Sequence, residues 1–154
     1  MSVTMTAIVL TERNISMVRD LPGFPGARHF HLEPVDERGS AFARLRCTDS
    51  IEMAPGIAMD NLVLLVVSPG AIWPDYSVFI DDATTTMLGL TSADKALLLA
   101  IVHPREPIAK STVNLFSPIV VNRTTGAADQ IIPLSTENEL GWSIRTEFPI
   151  PIGD

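Results

Sequence analysis

His29, His31, Cys47 and a scatter of paired carboxylates are the residues in this chain with the chemistry for catalysis. His29-x-His31 sets two imidazoles on one face of an extended segment, a pattern that suits a metal, and Asp36 and Glu37 follow nearby. Zinc needs a recognisable ligand set, and no third histidine follows at a matching spacing, since His103 is remote. The alternative, two surface histidines, needs no further partner and is the reading we adopt. Cys47 lies beside Arg46, with Asp49 two positions on, and an arginine can lower a thiol pKa. A lone cysteine ending a strand is also a small buried hydrophobe, and we favour that role. Asp36-Glu37, Asp81-Asp82, Glu137 and Glu139 could serve acid–base work, yet with 18 acidic residues such groupings arise by chance on turns and helix caps. No G-x-S-x-G elbow, P-loop or Rossmann glycine pattern is present. The expectation is therefore no catalytic, cofactor-binding or metal-binding residue, and no enzyme. A small metal- or thiol-dependent enzyme built on His29, His31 and Cys47 is the competing class.

The elements that would position these side chains are short. Twelve prolines and nine glycines cut the chain into pieces, and no helical apolar periodicity persists beyond about two turns. Strands are expected at Thr4–Leu10 and Ile15–Val18 around a turn at Glu12–Asn14. Further strands are expected at Arg28–Leu32, Ala41–Cys47, Leu62–Val67, Tyr76–Ile80 and Leu97–Val102. In Arg28–Leu32, Phe30 and Leu32 point one way and the histidines the other. Leu62–Val67, a continuous aliphatic run, reads as a central strand buried on both faces. Leu21 to Gly26 is a rigid loop, because Pro22 and Pro25 fix their own φ and extend their predecessors. Asp81 or Asp82 can cap a helix running to Leu88, with Gly89 just past its end, and Ser92 can start another turn. Thr112–Leu115 and Ile119–Asn122 are extended on either side of a bend or bulge at Pro118. Ile119–Asn122 and Ala127–Ile132 form a hairpin around Arg123–Gly126. Ser135–Glu139 reads as a loop or helical turn, and Pro149 and Pro151 rule out a terminal helix. The fold class that follows is mainly β, a small closed barrel-like single domain over residues 1–154, with one or two short helices.

Composition narrows the setting. The 154 residues suit one domain and are 46% hydrophobic, enough for a core without staples. The single cysteine rules out an internal disulfide and fits a reducing compartment. Met1–Leu10 lacks the features of a secretory signal. The most apolar runs, Asn61–Pro69 and Ala96–Val102, are far shorter than the ~20 residues a membrane helix needs. A cytoplasmic location without membrane contact is expected. The net charge of −7 repels nucleic acid and attracts basic protein partners, although acidity also serves solubility alone.

One segment narrows the function. Ala100–Asn122 contains Thr112, Asn114, Leu115, Pro118, Ile119 and Asn122 in a T-x-N-L-x-x-P-I-x-x-N pattern, followed by Gln130-Ile131-Ile132. This resembles the signature of the FliW family of flagellar assembly factors. Leu21-Pro22-Gly23-Phe24 is similar to that family's early P-G-F loop. Phe42–Leu45 is similar to its aromatic-led strand, and Val66–Pro69 with Asp75-Tyr76 to its strand, proline and D-Y pair. The resemblance covers about residues 15–135. It departs at Arg46-Cys47, where the family usually has Gln-Ser, at the extra Pro25-Gly26, and past Leu134, where nothing matches.

The resemblance implies a small β-barrel-like fold and two cytoplasmic partners. These are flagellin, which the protein would escort as a chaperone, and CsrA, an RNA-binding translational repressor. Flagellin leaving the cell would free the protein to relieve repression of flagellin translation. A flagellin chaperone without CsrA contact is the alternative within the same family. Candidate contact residues are Phe24 on its stiff loop, the aromatics Trp73 and Tyr76, and the acids Asp75, Asp81 and Asp82 for CsrA. Asn114 and Asn122 join them, with local backbone capping as their other role. Leu115, Pro118 and Ile119 read as core and bulge.

Overall fold

Alternating side chains on short extended segments give strands that must bury one face, and here they do so by closing on themselves. The computed structural model describes residues 1–4, 9–36, 40–107, 110–131 and 146–147. The strands are β1 (Ser2–Thr4), β2 (Arg13–Met17), β3 (His29–Pro34), β4 (Phe42–Cys47), β5 (Ile51–Ala54), β6 (Ile57–Met59), β7 (Val63–Val67), β8 (Ser77–Phe79), β9 (Ala96–His103), β10 (Thr112–Asn122), β11 (Ala127–Gln130) and β12 (Thr146–Glu147). One α-helix, α1 (Asp82–Met87), and 3-10 turns at Pro69–Ala71 and Ala93–Lys95 complete the described elements.

Seven strands form a closed barrel in the order β2-β3-β4-β7-β9-β10-β11. All neighbours are antiparallel except the closing pair, β11 with β2, which is parallel through Ala127 with Ser16 and Ala128 with Met17. Cross-strand partners share a face. Ile15 with Phe30, Leu32 with Leu45 and Ala43 with Val66 therefore line the interior, and all six are buried. The alternate residues His29, His31, Arg44 and Arg46 face outward, as the alternation predicts. Gly126 sits at the closing seam with φ +82°, and a Cβ there would lie 2.7 Å from the Asn14 carbonyl oxygen, so both its conformation and its space require glycine.

Several expectations need correction. Residues 13 and 14 do not form a turn, because Arg13 and Asn14 already pair with Leu32 and His31 in β2. Of the strand expected at Thr4–Leu10, Thr4 ends β1, Leu10 makes a bridge to Ser40, and residues 5–8 lie outside the described set. The strand buried on both faces is β9. In β7 only Val66 and Val67 are buried, and Val63 is 46% exposed. The two segments around Pro118 are one strand, β10, whose register with β9 jumps between Asn114 and Ile119. The bulge expected at Pro118 is thus present, inside a continuous strand. The β5–β6 hairpin went unforeseen, although Pro55-Gly56 at its turn is a turn signal. The β10–β11 hairpin, α1 and the turn after Ser92 form where expected. Ser135–Glu139 lies outside the described residues.

A second layer covers β9 and β10. It comprises the β1–β8 pair, α1 and Pro69–Ala71, which contacts β9. It is tied to β10 through Tyr76 with Leu115 and Asn122 with Leu88. Its Val3, Val78, Ile80 and Leu88 share one core with β9, whose residues from Ala96 to Ala100 are buried in both parities.

Candidate interaction surface

The second layer is built by a chain of local rules. The Pro69 carbonyl accepts from Ile72 N at 3.1 Å and Trp73 N at 2.8 Å, and the Trp73 carbonyl accepts from Tyr76 N at 2.9 Å. Pro74 occupies the second position of that last turn, which its fixed φ suits, and Asp75 is left exposed at the tip. Tyr76 then turns inward, is fully buried, and donates its hydroxyl to the Leu115 carbonyl at 2.7 Å. Leu115 lies in the irregular stretch of β10, where the ladder to β9 is interrupted, so the phenol fills a backbone partnership the bulge leaves open. Burial pushes the Tyr76 phenol pKa upward.

Asp81 caps α1. Its carboxylate accepts from Thr84 N at 2.7 Å, and its carbonyl accepts from Thr85 Oγ1 at 2.8 Å. The Thr84 backbone N–H is the main cause holding the Asp81 carboxyl below the usual carboxylate range. Asp82, exposed in the first turn, lies at the positive end of the helix. Gly89, at φ +67°, ends the helix, and Asn122 reaches it from β10. Asn122 Nδ2 donates to Leu88 O at 2.8 Å and Gly89 O at 3.3 Å, while its Oδ1 accepts from Thr124 N at 2.8 Å.

Residues 71–94 carry four acids, Asp75, Asp81, Asp82 and Asp94, and no lysine, arginine or histidine. Arg19 and the N-terminal ammonium act on Asp81, and Lys95 and Arg123 act on Asp94. Arg19 is already held by Asp129, through Nε at 3.2 Å and Nη2 at 2.5 Å. Two large apolar side chains of the same stretch are exposed, Phe79 at 67% and Met87 at 44%.

The eight residues expected to meet partners divide between two places. Trp73, Asp75, Tyr76, Asp81 and Asp82 belong to the second layer, and Asn122 ties that layer to the barrel. Phe24 and Asn114 instead line one groove of about 700 Å³, with Leu21, Leu64, Ile101 and Gln130. Asp75 and Asp82 are exposed, and Phe24, Trp73, Asp81 and Asn114 are half-buried. Tyr76 and Asn122 are enclosed and hold backbone groups together. Asn114 does similar work at the bulge, where its Oδ1 accepts from Phe116 N and Ser117 N, both at 3.1 Å.

The residues of the competing enzymatic reading face different ways, His29 and His31 outward and Cys47 inward, although the Cys47 thiol also reaches Asp49, donating to its carbonyl at 3.7 Å. His29 Nδ1 lies 3.1 Å from Asp49, and His31 lies between Asn14 at 2.8 Å and Glu12 at 2.6 Å. Cys47 points into the barrel with its thiol pKa pushed up by burial, while Arg46 turns outward to Glu33 at 2.7 Å. Among the described residues no three metal-ligating side chains come together. Sequence reasoning missed Phe79, although its parity was available: Tyr76, Val78 and Ile80 are buried, so Phe79 must face out. It also missed the Arg19–Asp129 pair, for which a single sequence carries no signal because the partners lie on opposite sides of the closing seam.

The comparisons with known proteins agree with one another. The model of the FliW protein family matches residues 4–144, further in both directions than the motifs alone extend. The chain is 36% identical to the flagellar assembly factor FliW of Bacillus licheniformis over 121 residues, covering 79% of this chain and 78% of that one. It is 34% identical to the flagellar assembly factor FliW of Desulfitobacterium hafniense over 145 residues, covering 94% and 86%. Its fold is similar to a crystal structure of the flagellar assembly factor FliW, with a TM-score of 0.72 and 23% identity, covering 88% and 86% of the two chains. Among the described residues no helix is long and apolar enough to cross a membrane.

Proposed function

Because the chain belongs to the FliW family of flagellar assembly factors, we propose that it acts in the cytoplasm as a non-catalytic, partner-switching adaptor. A single domain spanning residues 1–154 binds flagellin and, when flagellin is absent, binds the translational repressor CsrA and relieves its block on flagellin translation. The observation that carries this reading is the all-acidic stretch from residue 71 to 94, which also bears exposed Phe79. Such a surface suits a basic, RNA-binding protein, because opposite charge speeds encounter and like charge repels nucleic acid itself. Asp75 and Asp82 are the exposed acids offered for contact, with Trp73 two residues before Asp75, and Phe24 and Asn114 help line a separate groove for the second partner. No cofactor takes part.

Calorimetric titration with flagellin and with CsrA from the same organism, each at two salt concentrations, tests the proposal. The expected result is saturable binding of both, with the CsrA affinity falling as salt rises. Flagellin binding without any CsrA binding at tens of micromolar would remove the translational arm and leave a flagellin chaperone. Binding of neither would overturn the adaptor reading.

A further inference from the structure

β8 offers backbone as well as side chains. Met1 and Ile80 exchange hydrogen bonds in both directions, Met1 N to Ile80 O at 2.8 Å and Ile80 N to Met1 O at 2.7 Å. In an antiparallel pair such exchanging partners alternate with pairs whose N–H and C=O groups point away from each other. Ser2 with Phe79 and Thr4 with Ser77 are the pairs of that second kind. The amides and carbonyls of Ser77 and Phe79 therefore face outward, along the edge of β8 opposite β1. Among the described residues no strand pairs with that edge. Phe79 lies on the edge with 67% of its surface exposed. Asp75 stands two residues before Ser77, Asp81 two residues after Phe79, and Asp82 follows.

From this arrangement we infer that the outer edge of β8 is a docking strand for an extended basic segment of a protein partner. The segment adds to β8 by main-chain hydrogen bonds to Ser77 and Phe79. An apolar side chain of the segment covers Phe79, and its lysines or arginines face Asp75 and Asp82. Charge selects this occupant over a second copy of the chain. An antiparallel pairing of two β8 edges centred on Val78 would set Asp75 of one chain against Asp81 of the other, and like charges directly opposed are unfavourable. The inference rests on the adaptor reading for the partner's identity, and on the backbone geometry alone for the mode of binding.

The test uses the full chain and four forms of it: wild type, Phe79→Ala, Phe79→Pro and the Asp75→Asn/Asp82→Asn double variant. Proline at an outward-facing edge position removes one amide donor without breaking the β1 ladder, and thermal melting checks that each variant is folded. Each form is titrated with CsrA and with a synthetic octapeptide of alternating lysine and valine. Amide exchange at Ser77 and Phe79 is followed in both complexes. The expected result is about tenfold weaker binding for Phe79→Ala, a larger loss for Phe79→Pro, and a shallower salt dependence for the double variant. The Ser77 and Phe79 amides should exchange at least about tenfold more slowly when either ligand is bound.

If wild type binds CsrA while these amides stay unprotected and the Phe79 variants bind as well as wild type, the docking strand is overturned and the adaptor reading stands. If CsrA does not bind, the translational arm of the adaptor reading falls, and the octapeptide alone decides the edge. Equal binding of a glutamate–valine octapeptide, or no protection by the lysine–valine one, overturns it.

Discussion

The side-chain amide of Asn122 donates to the Leu88 carbonyl at 2.8 Å, joining the end of β10 to the end of α1 across 34 positions of sequence. The same side chain accepts from the backbone of the β10–β11 turn. One buried asparagine thereby fixes the acidic layer to the barrel and shapes the hairpin that closes it. Asn122→Ala leaves a helix-terminal carbonyl and a turn amide without partners. We expect a loss of about 2–3 kcal/mol, read as a lower denaturant midpoint with little change in slope.

Tyr76→Phe removes the hydroxyl that satisfies Leu115 O and should cost about 1–2 kcal/mol at neutral pH. The pH dependence has a definite sign. Burial raises the folded-state phenol above its ordinary 10.0. Its stabilising effect is therefore complete below pH 10.0 and is lost as pH rises from there toward the folded value. Between pH 10.0 and the folded value the unfolded chain binds fewer protons than the folded one, and stability falls by up to about 1.4 kcal/mol per pH unit from this group. Chemical denaturation between pH 8 and 11, compared with Tyr76→Phe, should show a steeper alkaline fall in wild type.

Arg19 is 63% exposed, but the Asp129 carboxylate it clasps is only 3% exposed. Removing the arginine strands a charge at the closing seam, so Arg19→Ala should cost more than an ordinary surface pair, about 1–2 kcal/mol. Arg19→Lys keeps the charge and loses the two-pronged geometry, and an intermediate cost is expected. Urea melts of the three proteins provide the measurement.

Cys47 is buried with a raised thiol pKa, so it should resist an aromatic disulfide reagent in the native protein and react only on unfolding. Cys47→Ala should retain partner binding and lose about 1 kcal/mol or less of stability. Fast native labelling, or loss of binding in the alanine variant, would revive a thiol-based role.

What the sequence made legible was local. The cap at Asp81, the glycine after α1, the β10–β11 turn and the outward histidines of β3 all follow from rules acting over a few residues. The Asn114–Asn122 motif pointed to the family because its asparagines satisfy backbone at two difficult places, the bulge and the junction with α1. What stayed hidden depends on distant neighbours. The aliphatic run of β7 looks fully buried, yet Val63 is exposed and Leu64 lines a groove instead of a packed face. Tyr76 reads as a contact residue from its type alone, yet it turns inward, where its hydroxyl meets the Leu115 carbonyl in the stretch that interrupts the β9–β10 ladder. The edge at Phe79 appears only once β8 is known to pair, among the described residues, with β1 alone.

The parallel seam of β2 with β11 also sets a timetable. Arg19 and Asp129 lie 110 positions apart, and Ser16 meets Ala127 across the same join. On the ribosome, β2 is made early and must wait for nearly the whole barrel to emerge before its last neighbour exists. So high a contact order predicts slow folding, on the scale of milliseconds to seconds. A chain interrupted before residue 127 leaves β2 and part of β10 with open edges of the kind that recruit other nascent chains, so prematurely terminated products should aggregate where the complete protein does not.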